Sequence, residues 1–445
     1  MPRRKRFVIA PTPSERVIAN FMTSLAIIGT GIAGLGSAHF LHRRFDLTLY
    51  ESGDYAGGHT NTITVDEQGK PVPIDTGFMV FNHVTYPNLT RLFRELDVET
   101  KPTKMSFGVQ HTPSGLEFNG SSVGQLFGQR RNLFSARHWR MLIAINRFND
   151  EAVAALDDPQ WAGCTLGEYV AARGYGDDML HRYLVPMSSA VWSTPPEKML
   201  EFPAMTLLRF WHNHGFLGIR TQHPWWTVVN GAQSYVTKIT APFRDRIQLR
   251  NRAVRIERRS GIVLLTTDDG VVREYDKVIL ACHADQALAL LADPTELELR
   301  LLREFKYQRN TVALHTDASF MPRTRRCWAS WNYRIDEAPG GGVVASTHYW
   351  MNSLQDMSEK KDYFVSLNSH DRIEPTKMLR LIDYEHPLFN NATAAAQREL
   401  PQLNRRSPDQ TTFYAGAWFK YGFHEDGFTS GLECARAVTG EEIWP

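Results

Sequence analysis

The apolar and polar positions divide the chain into a few well-marked stretches. Leu25 to Ile28 is a short, wholly apolar run, the pattern of a strand buried on both faces of a parallel sheet. Leu47 to Tyr50 repeats that pattern after a helical interval. Residues 62–82, TITVDEQGKPVPIDTGFMVFN, predict a hairpin followed by a tight loop in which Asp75, Gly77 and the apolar Phe78 to Phe81 would lie along a flat ring. Over 85–98, Leu89, Leu92, Phe93 and Leu96 recur at helical spacing and form one apolar face. Residues 120–185 read as mainly helical. Strand patterns return over 247–281 as a meander ending in a buried strand at Lys277–Cys282. They return again at 308–316, 342–350 and Thr411–Ala415.

The link between the first two strands carries Gly29, Gly31 and Gly34, spaced G-x-G-x-x-G around Ile32 and Ala33. The first glycine makes the strand-to-helix turn. The second admits a pyrophosphate where a Cβ would collide. The third lets the helix pack close to the strand. The helix N-terminus adds free N–H groups and a partial positive charge. Glu51 closes the second strand 17 positions beyond Gly34, about where a ribose-binding acid belongs, with Ser52 next to it. A glycine-rich turn in some other α/β domain is the plain reading, but strand, helix and acid agree on a dinucleotide. Gly57, Gly58, His59 and Thr60 then bring a second glycine pair toward the diphosphate. This feature suits FAD better than NAD, although Gly-Gly also suits a surface turn.

The chain therefore begins a nucleotide-binding sheet, leaves it and returns twice. The predicted fold class is α/β: a Rossmann-like FAD-binding domain with an interleaved α+β substrate domain. The expected segments are a basic tail at 1–23 and the first FAD-binding segment at 24–82. A mainly helical part of the substrate domain follows at 83–226, then a second FAD-binding segment at 227–295. Substrate-domain strands occupy 296–400, and a C-terminal FAD-binding segment ends the chain at 401–445.

At 445 residues the chain is long enough for two domains, and a net charge of +2 argues against a nucleic-acid partner. Cys164, Cys282, Cys327 and Cys434 are far apart and read as reduced core thiols of a cytoplasmic protein, with no metal-ligand spacing. His212, His214 and His223 lack a carboxylate or cysteine to complete a zinc-like set. No apolar run is long enough to span a bilayer. Residues 1–23 hold Arg3, Arg4, Lys5, Arg6 and Arg16 against Glu15, without the apolar core of a signal peptide. Met22, just before the first strand, is a second candidate start.

Two stretches keep two readings each. Between Arg130 and Phe148, Arg130, Arg131, Arg137 and Arg140 alternate with Leu133, Phe134, Trp139, Met141, Leu142 and Ile143. A basic helix with an aromatic edge can lie on an anionic membrane, and the same pattern suits a core helix with a solvated face. Residues 186–226 are dense in aromatics: Trp192, Phe202, Phe210, Trp211, Phe216, Trp225 and Trp226. They suit either a core or an apolar substrate tunnel.

The C-terminal stretch FYAGAWFKYGFHEDGFTSGLECARAV predicts a short strand, Gly416, a loop, and a helix beginning near Ser430. A helix N-terminus aimed at a flavin would stabilise negative charge on the reduced ring, while a plain helix would only cap the sheet. GTGIAGLGSA, ESGDYAGGHTNT, IDTGFMVFNHVTYPNL and YGFHEDGF together resemble the flavin-containing amine-oxidase superfamily over about Leu25 to Val438. They look most like the branch found beside bacterial cyclopropane fatty-acid synthases and fused to plant ones. The resemblance implies noncovalent FAD between two domains. It puts the diphosphate at Gly29, Gly31, Gly34, Gly58 and His59, the ribose at Glu51 and the adenine at Val254. Gly77, Phe78 and Met79 would lie along the ring. Gly416, Gly427, Phe428 and Thr429 would lie at the ribityl chain and pyrimidine edge.

This chain departs from the family's pattern at several points. The strand Arg309–Thr316 lacks the family's Lys, His59 stands where relatives carry Arg, and Ala417 stands where many carry an acid. No Cys lies in the loop that carries covalent flavin. The expected activity is FAD-dependent oxidation or desaturation of a lipid acyl chain by hydride transfer to flavin N5. Tyr421, Phe423 and His424 would line the reacting face, and His424 would act as acid or base or else only hydrogen-bond the loop. The competing expectations are oxidation of a small amine oriented by Trp418 and Tyr421, and a non-catalytic flavoprotein partner of a lipid methyltransferase. Contact with the inner face of the membrane is expected on the lipid reading.

Overall fold

A computed structural model describes residues 22–218, 221–338 and 340–444. The basic tail expected at 1–23 therefore lies outside the described residues except for its last two positions.

Five parallel strands form the first sheet, in the order Thr412–Tyr414, Lys277–Leu280, Ser24–Ile28, Asp46–Tyr50, Ile247–Gln248. Ile27 pairs with Leu49 on one side and Ile279 on the other. All three side chains are fully buried, which is why these runs are continuously apolar. Strands from three distant stretches meet here, as the returning pattern predicted. The helices Ile32–Leu41 and His424–Thr439 pack against one another beside this sheet. Glycines set their closeness: a Cβ on Gly431 would meet Ala33 O at 2.5 Å, and one on Gly36 would meet Phe428 at 2.9 Å. A three-stranded antiparallel meander, Ala253–Arg259, Ile262–Thr267 and Val272–Tyr275, covers the opposite side. Its Ile256, Val263 and Leu265 pack with Ala26, Ile28, Val278 and Leu280.

A second sheet of seven strands runs Met378–Leu388, Lys306–His315, Phe364–Leu367, Val343–Trp350, Trp331–Glu337, Phe107–His111, Leu116–Asn119. The last two strands, and the strand Thr100–Thr103 paired with Trp225–Val228, fall in the stretch expected to be mainly helical. Their apolar alternation is broken by buried polar groups. Glu117, for example, accepts from Arg323 N at 2.8 Å and Thr324 N at 3.0 Å. The helical part is centred on Ala136–Ala155, Leu166–Arg173 and Ala204–Asn213, around a core of Phe148, Tyr169, Phe202 and Trp211.

Two further expectations are corrected. The C-terminal helix begins at His424, not near Ser430: Gly422 turns at φ +93° and Asp426 accepts from Phe423 N at 3.0 Å, closing the first turn early. Of the cysteines, only Cys327 and Cys434 are core, while Cys164 and Cys282 are partly exposed. Among the described residues no helix is long and apolar enough to cross a membrane.

Candidate active site

One cavity of about 840 Å³ opens along the C-terminal ends of the parallel strands and runs into the second domain. Strand ends supply its floor through Gly29, Glu51, Cys282 and Gly416, the position where open α/β sheets bind ligands.

The glycines divide the labour. A Cβ built on Gly31 meets nothing within 4 Å, so the space above it is free for a ligand. A Cβ on Gly34 would run into Gly29 O, and one on Gly29, at φ +101°, would meet Ala281 O at 2.7 Å. Gly34 thus serves helix packing and does not line the cavity. Gly58, at φ +59°, would bring a Cβ to 3.1 Å from Gly31 Cα, so two bare backbones face one another. This cradle fits a diphosphate.

Glu51 lines the cavity with Ser52, and its carboxylate also ties the loop together. Its Oε2 accepts from Thr30 N at 3.0 Å and Thr30 Oγ1 at 2.6 Å, and its Oε1 accepts from Gly53 N at 2.9 Å. Arg252, Ala253 and Val254 line the same end, while Ile32, Ala33, Gly77, Phe78 and Met79 line the middle. Phe78 N donates to His59 O at 2.8 Å, which fixes the hairpin loop over the second glycine pair.

Beyond the cradle, His59 of the second glycine pair joins a group of rings drawn from distant stretches of the chain. His59 stacks on Tyr384 with centroids 4.7 Å apart and meets His386 edge-on at 5.2 Å. His386 Nδ1 accepts from Asn310 Nδ2 at 2.9 Å, which leaves its proton on Nε2. His283 stacks on Tyr307 at 4.1 Å, with Nδ1 3.3 Å from Glu385. Burial pushes His59 and His283 below the usual imidazole range and His386 down to about 4. These imidazoles are neutral at physiological pH. Cys282 ends a strand recognised in the sequence and His283 follows it, so the strand-end rule was the signal for them. Asn310, Tyr384 and His386 come from two strands that pair only in the fold.

The far end is aromatic and aliphatic. Trp192 packs on Phe210 at 4.8 Å, and Phe210 stacks on Phe423 at 4.9 Å and meets Tyr421 at 5.4 Å. Phe216, Trp225, Trp331 and Val312 complete this wall. Residues 186–226 thus divide between cavity and core: Trp192, Phe210, Phe216 and Trp225 line the cavity while Phe202 and Trp211 are core. The strand Lys306–His315 presents Val312 to the cavity, and Lys306 at its start is exposed. Among the described residues of the lining, the only carboxylates are Glu51, held by its loop, and Glu385, beside His283.

The C-terminal residues divide differently from expectation. Gly416, Ala417, Tyr421, Phe423 and His424 line the cavity, but Gly427, Phe428 and Thr429 do not. The early helix start turns these three away. Gly427 faces Ile32, Phe428 is fully buried, and Thr429 Oγ1 accepts from Asn88 Nδ2 at 2.9 Å. Thr60 also sits behind the wall, fully buried, with its hydroxyl 2.6 Å from Tyr235 Oη and 2.9 Å from His424 Nε2. Trp418 Nε1 donates to Cys282 O at 3.1 Å, and its ring packs on Phe305 and Phe419. Tyr421 packs on Phe210, and both Trp418 and Tyr421 line the cavity, held by different neighbours.

A glycine cradle for a diphosphate at parallel strand ends, opening into an aromatic chamber in a second domain, defines a dinucleotide-binding oxidoreductase. The chain belongs to the flavin containing amine oxidoreductase family, whose model it matches over residues 32–439. It is an FAD-dependent oxidoreductase with the amine-oxidase fold. No curated protein sequence matches it. Many solved structures share the fold, three of them as follows. A CLA-producing fatty acid isomerase from P. acnes is 16% identical at TM-score 0.64, over 95% of this chain and 99% of that one. Cyclohexylamine oxidase from Brevibacterium oxydans is 17% identical at TM-score 0.63, over 94% and 99%. A putrescine oxidase bound to putrescine is 12% identical at TM-score 0.64, over 95% and 100%.

Proposed function

We propose that the protein oxidises or desaturates a lipid acyl chain, using FAD held without a covalent bond. The observation that carries this reading is the lining of the chamber. Among the described residues, the lining around Trp192, Phe210, Phe216, Trp225, Trp331 and Phe423 presents no carboxylate to balance an ammonium; Asp426 lies behind it, spent on Phe423 N, and such a wall suits an alkyl chain. The fold itself is neutral on this point, since it carries a fatty acid isomerase and two amine oxidases alike.

Gly29, Gly31 and Gly58 would hold the diphosphate, Glu51 the ribose and Val254 the adenine. Gly77 to Met79 would lie along the ring. When bound, the flavin would supply a two-electron acceptor for a hydride, which carries the electron pair of the broken C–H bond, and the second hydrogen would leave as a proton. The chain's own part is to align an acyl carbon along the aromatic wall and keep water out. Tyr421 and Phe423 carry the wall at that end. His424 positions the Thr60–Tyr235 corner and takes no proton. We place the protein in the cytoplasm, in the branch associated with cyclopropane fatty-acid synthases.

The test is anaerobic mixing with phospholipids, free fatty acids and amines while the flavin absorbance is followed. Bleaching by acyl substrates alone supports the reading, and bleaching by a small amine alone overturns it. Flavin that stays with the chain after acid denaturation refutes the noncovalent bond.

A further inference from the structure

Far from the glycine cradle, one face of the helical part carries apolar side chains in water. Phe134 is 90% exposed, Val123 76%, Ile143 67% and Trp139 45%. They form one patch. Trp139 and Ile143 lie one turn apart on the helix Ala136–Ala155, whose inner side is held by Met141 and Phe148. Trp139 Nε1 donates to Leu133 O at 2.9 Å, which clamps the Arg130–Phe134 turn to that helix. The Trp139 ring then meets Phe127 at 5.0 Å, beside the short helix that carries Val123.

The charge carried by this stretch of sequence has one sign. From Phe118 to Asn149 the sequence holds Arg130, Arg131, Arg137, Arg140 and Arg147 and no Asp or Glu. A cleft of about 320 Å³ opens beside Phe134, lined by Arg131, Arg137 and Arg182 with Asp178. Asp178 pairs with Arg137 at 2.6 Å and Arg182 at 3.2 Å, so one carboxylate faces three guanidiniums. Arg137 is thereby partly spent, while Arg130 and Arg140 are exposed.

We propose that this face docks the protein on an anionic lipid surface. Phe134, Ile143 and Trp139 enter the headgroup boundary, Arg130 and Arg140 lie among the headgroups, and the cleft takes a lipid phosphate. Apolar side chains ringed by arginines on one helix face are the composition of an interfacial anchor, and a patch for a neutral protein partner needs no such ring. The face is also well placed. Met141 belongs to a cluster with Ala190 and Tyr333 against which Trp331 packs, and Trp331 and Val191 line the active-site chamber. Docking stands independently of the substrate reading, since an amine oxidase could carry the same anchor.

The test is vesicle sedimentation of the full-length, flavin-loaded chain on phosphatidylcholine with and without phosphatidylglycerol. Binding should require the anionic lipid and fade with salt. Arg130→Glu with Arg140→Glu should weaken it roughly tenfold or more. Phe134→Ser with Ile143→Ser should weaken it at unchanged salt dependence. Flavin content and circular dichroism verify the fold of each variant. Absence of binding to anionic vesicles at low salt overturns the proposal, as does wild-type binding by both double variants. It also fails if Phe134→Ser with Ile143→Ser splits a dimer in light scattering and leaves vesicle binding intact. Vesicle binding without flavin reduction by lipids leaves docking in place and removes only the lipid substrate.

Discussion

The imidazole of His424 lies flat against the ring of Phe78, with centroids 3.8 Å apart and planes at 10°. Its Nε2 is 2.7 Å from Tyr235 Oη, and burial pushes its pKa down to about 3. This histidine therefore stays neutral at any working pH, and it pins the start of the C-terminal helix to the loop over the glycine cradle. His424→Asn should lower stability by roughly 1–3 kcal/mol, because the bonded Thr60–Tyr235 hydroxyl pair loses the buried ring nitrogen that completes it. The pH profile of kcat/KM should keep its shape. Loss of one limb of that profile in the variant would make His424 an acid or base after all.

Acid should weaken the fold before it protonates any ordinary carboxylate. His214, His315 and His386 are pushed down to about 4 by burial, and His424 to about 3. In the unfolded chain each binds a proton near pH 6.5, so the unfolded state gains protons first and stability falls as pH drops from about 6.5 toward 4. Asp75 and Asp426 act in the opposite sense. Burial raises both to about 7, so their stability contribution is fully present below about pH 4 and is lost as pH rises through 7. Four histidines outweigh two aspartates, and urea midpoints should fall between pH 7 and pH 5. Asp426→Asn removes one opposing group and should steepen that fall. A midpoint that rises toward pH 5 contradicts the assignment of neutral imidazoles.

Gly31 and Gly34 should separate binding from folding. The protein leaves a Cβ on Gly31 in open space, so Gly31→Val should fold, melt like the wild type and purify without flavin. Gly34→Val drives its side chain into Gly29 O and should not fold. Glu51→Ala should weaken FAD by roughly 1.5–3 kcal/mol, through the lost charged acceptor and the loosened Thr30 loop. Titration of the apoprotein with FAD, with circular dichroism beside it, measures all three. Equal loss of flavin in folded Gly31→Val and folded Gly34→Val would void the division.

The cradle was legible in the sequence because strand, turn, helix and closing acid fall within one short stretch, each with its own local signal. The rings beyond it were not. Asn310 and His386 meet only because the strands Lys306–His315 and Met378–Leu388 pair, with Gln308 opposite His386. Such pairing has no local mark. The C-terminal motif was found but misplaced. The resemblance puts Gly427 at the ribityl chain and pyrimidine edge, whereas in the fold it lies in the helix and gives room to Ile32. Helix packing and ligand approach both ask for glycine, and only the neighbours in space tell them apart.

The described aromatic wall presents no carboxylate, and one can be introduced at Phe423, which stacks on Phe210 at 4.9 Å and meets Trp192 at 6.1 Å. Phe423→Ala removes an aromatic contact worth about 0.5–1.5 kcal/mol beyond its area. KM for an acyl substrate should rise several-fold, with little change in kcat and full flavin content. Phe423→Asp places an acid against the same apolar wall. A buried charge without a partner repels an alkyl chain, so acyl turnover should drop well below that of the alanine variant. On the amine reading the order reverses, because the new carboxylate would hold an ammonium beside Tyr421 and lower KM for the amine. Steady-state kinetics of the two variants on one acyl substrate and one diamine decide between these orders. A gain for the diamine in the aspartate variant, from a measurable wild-type rate, would count against the acyl assignment.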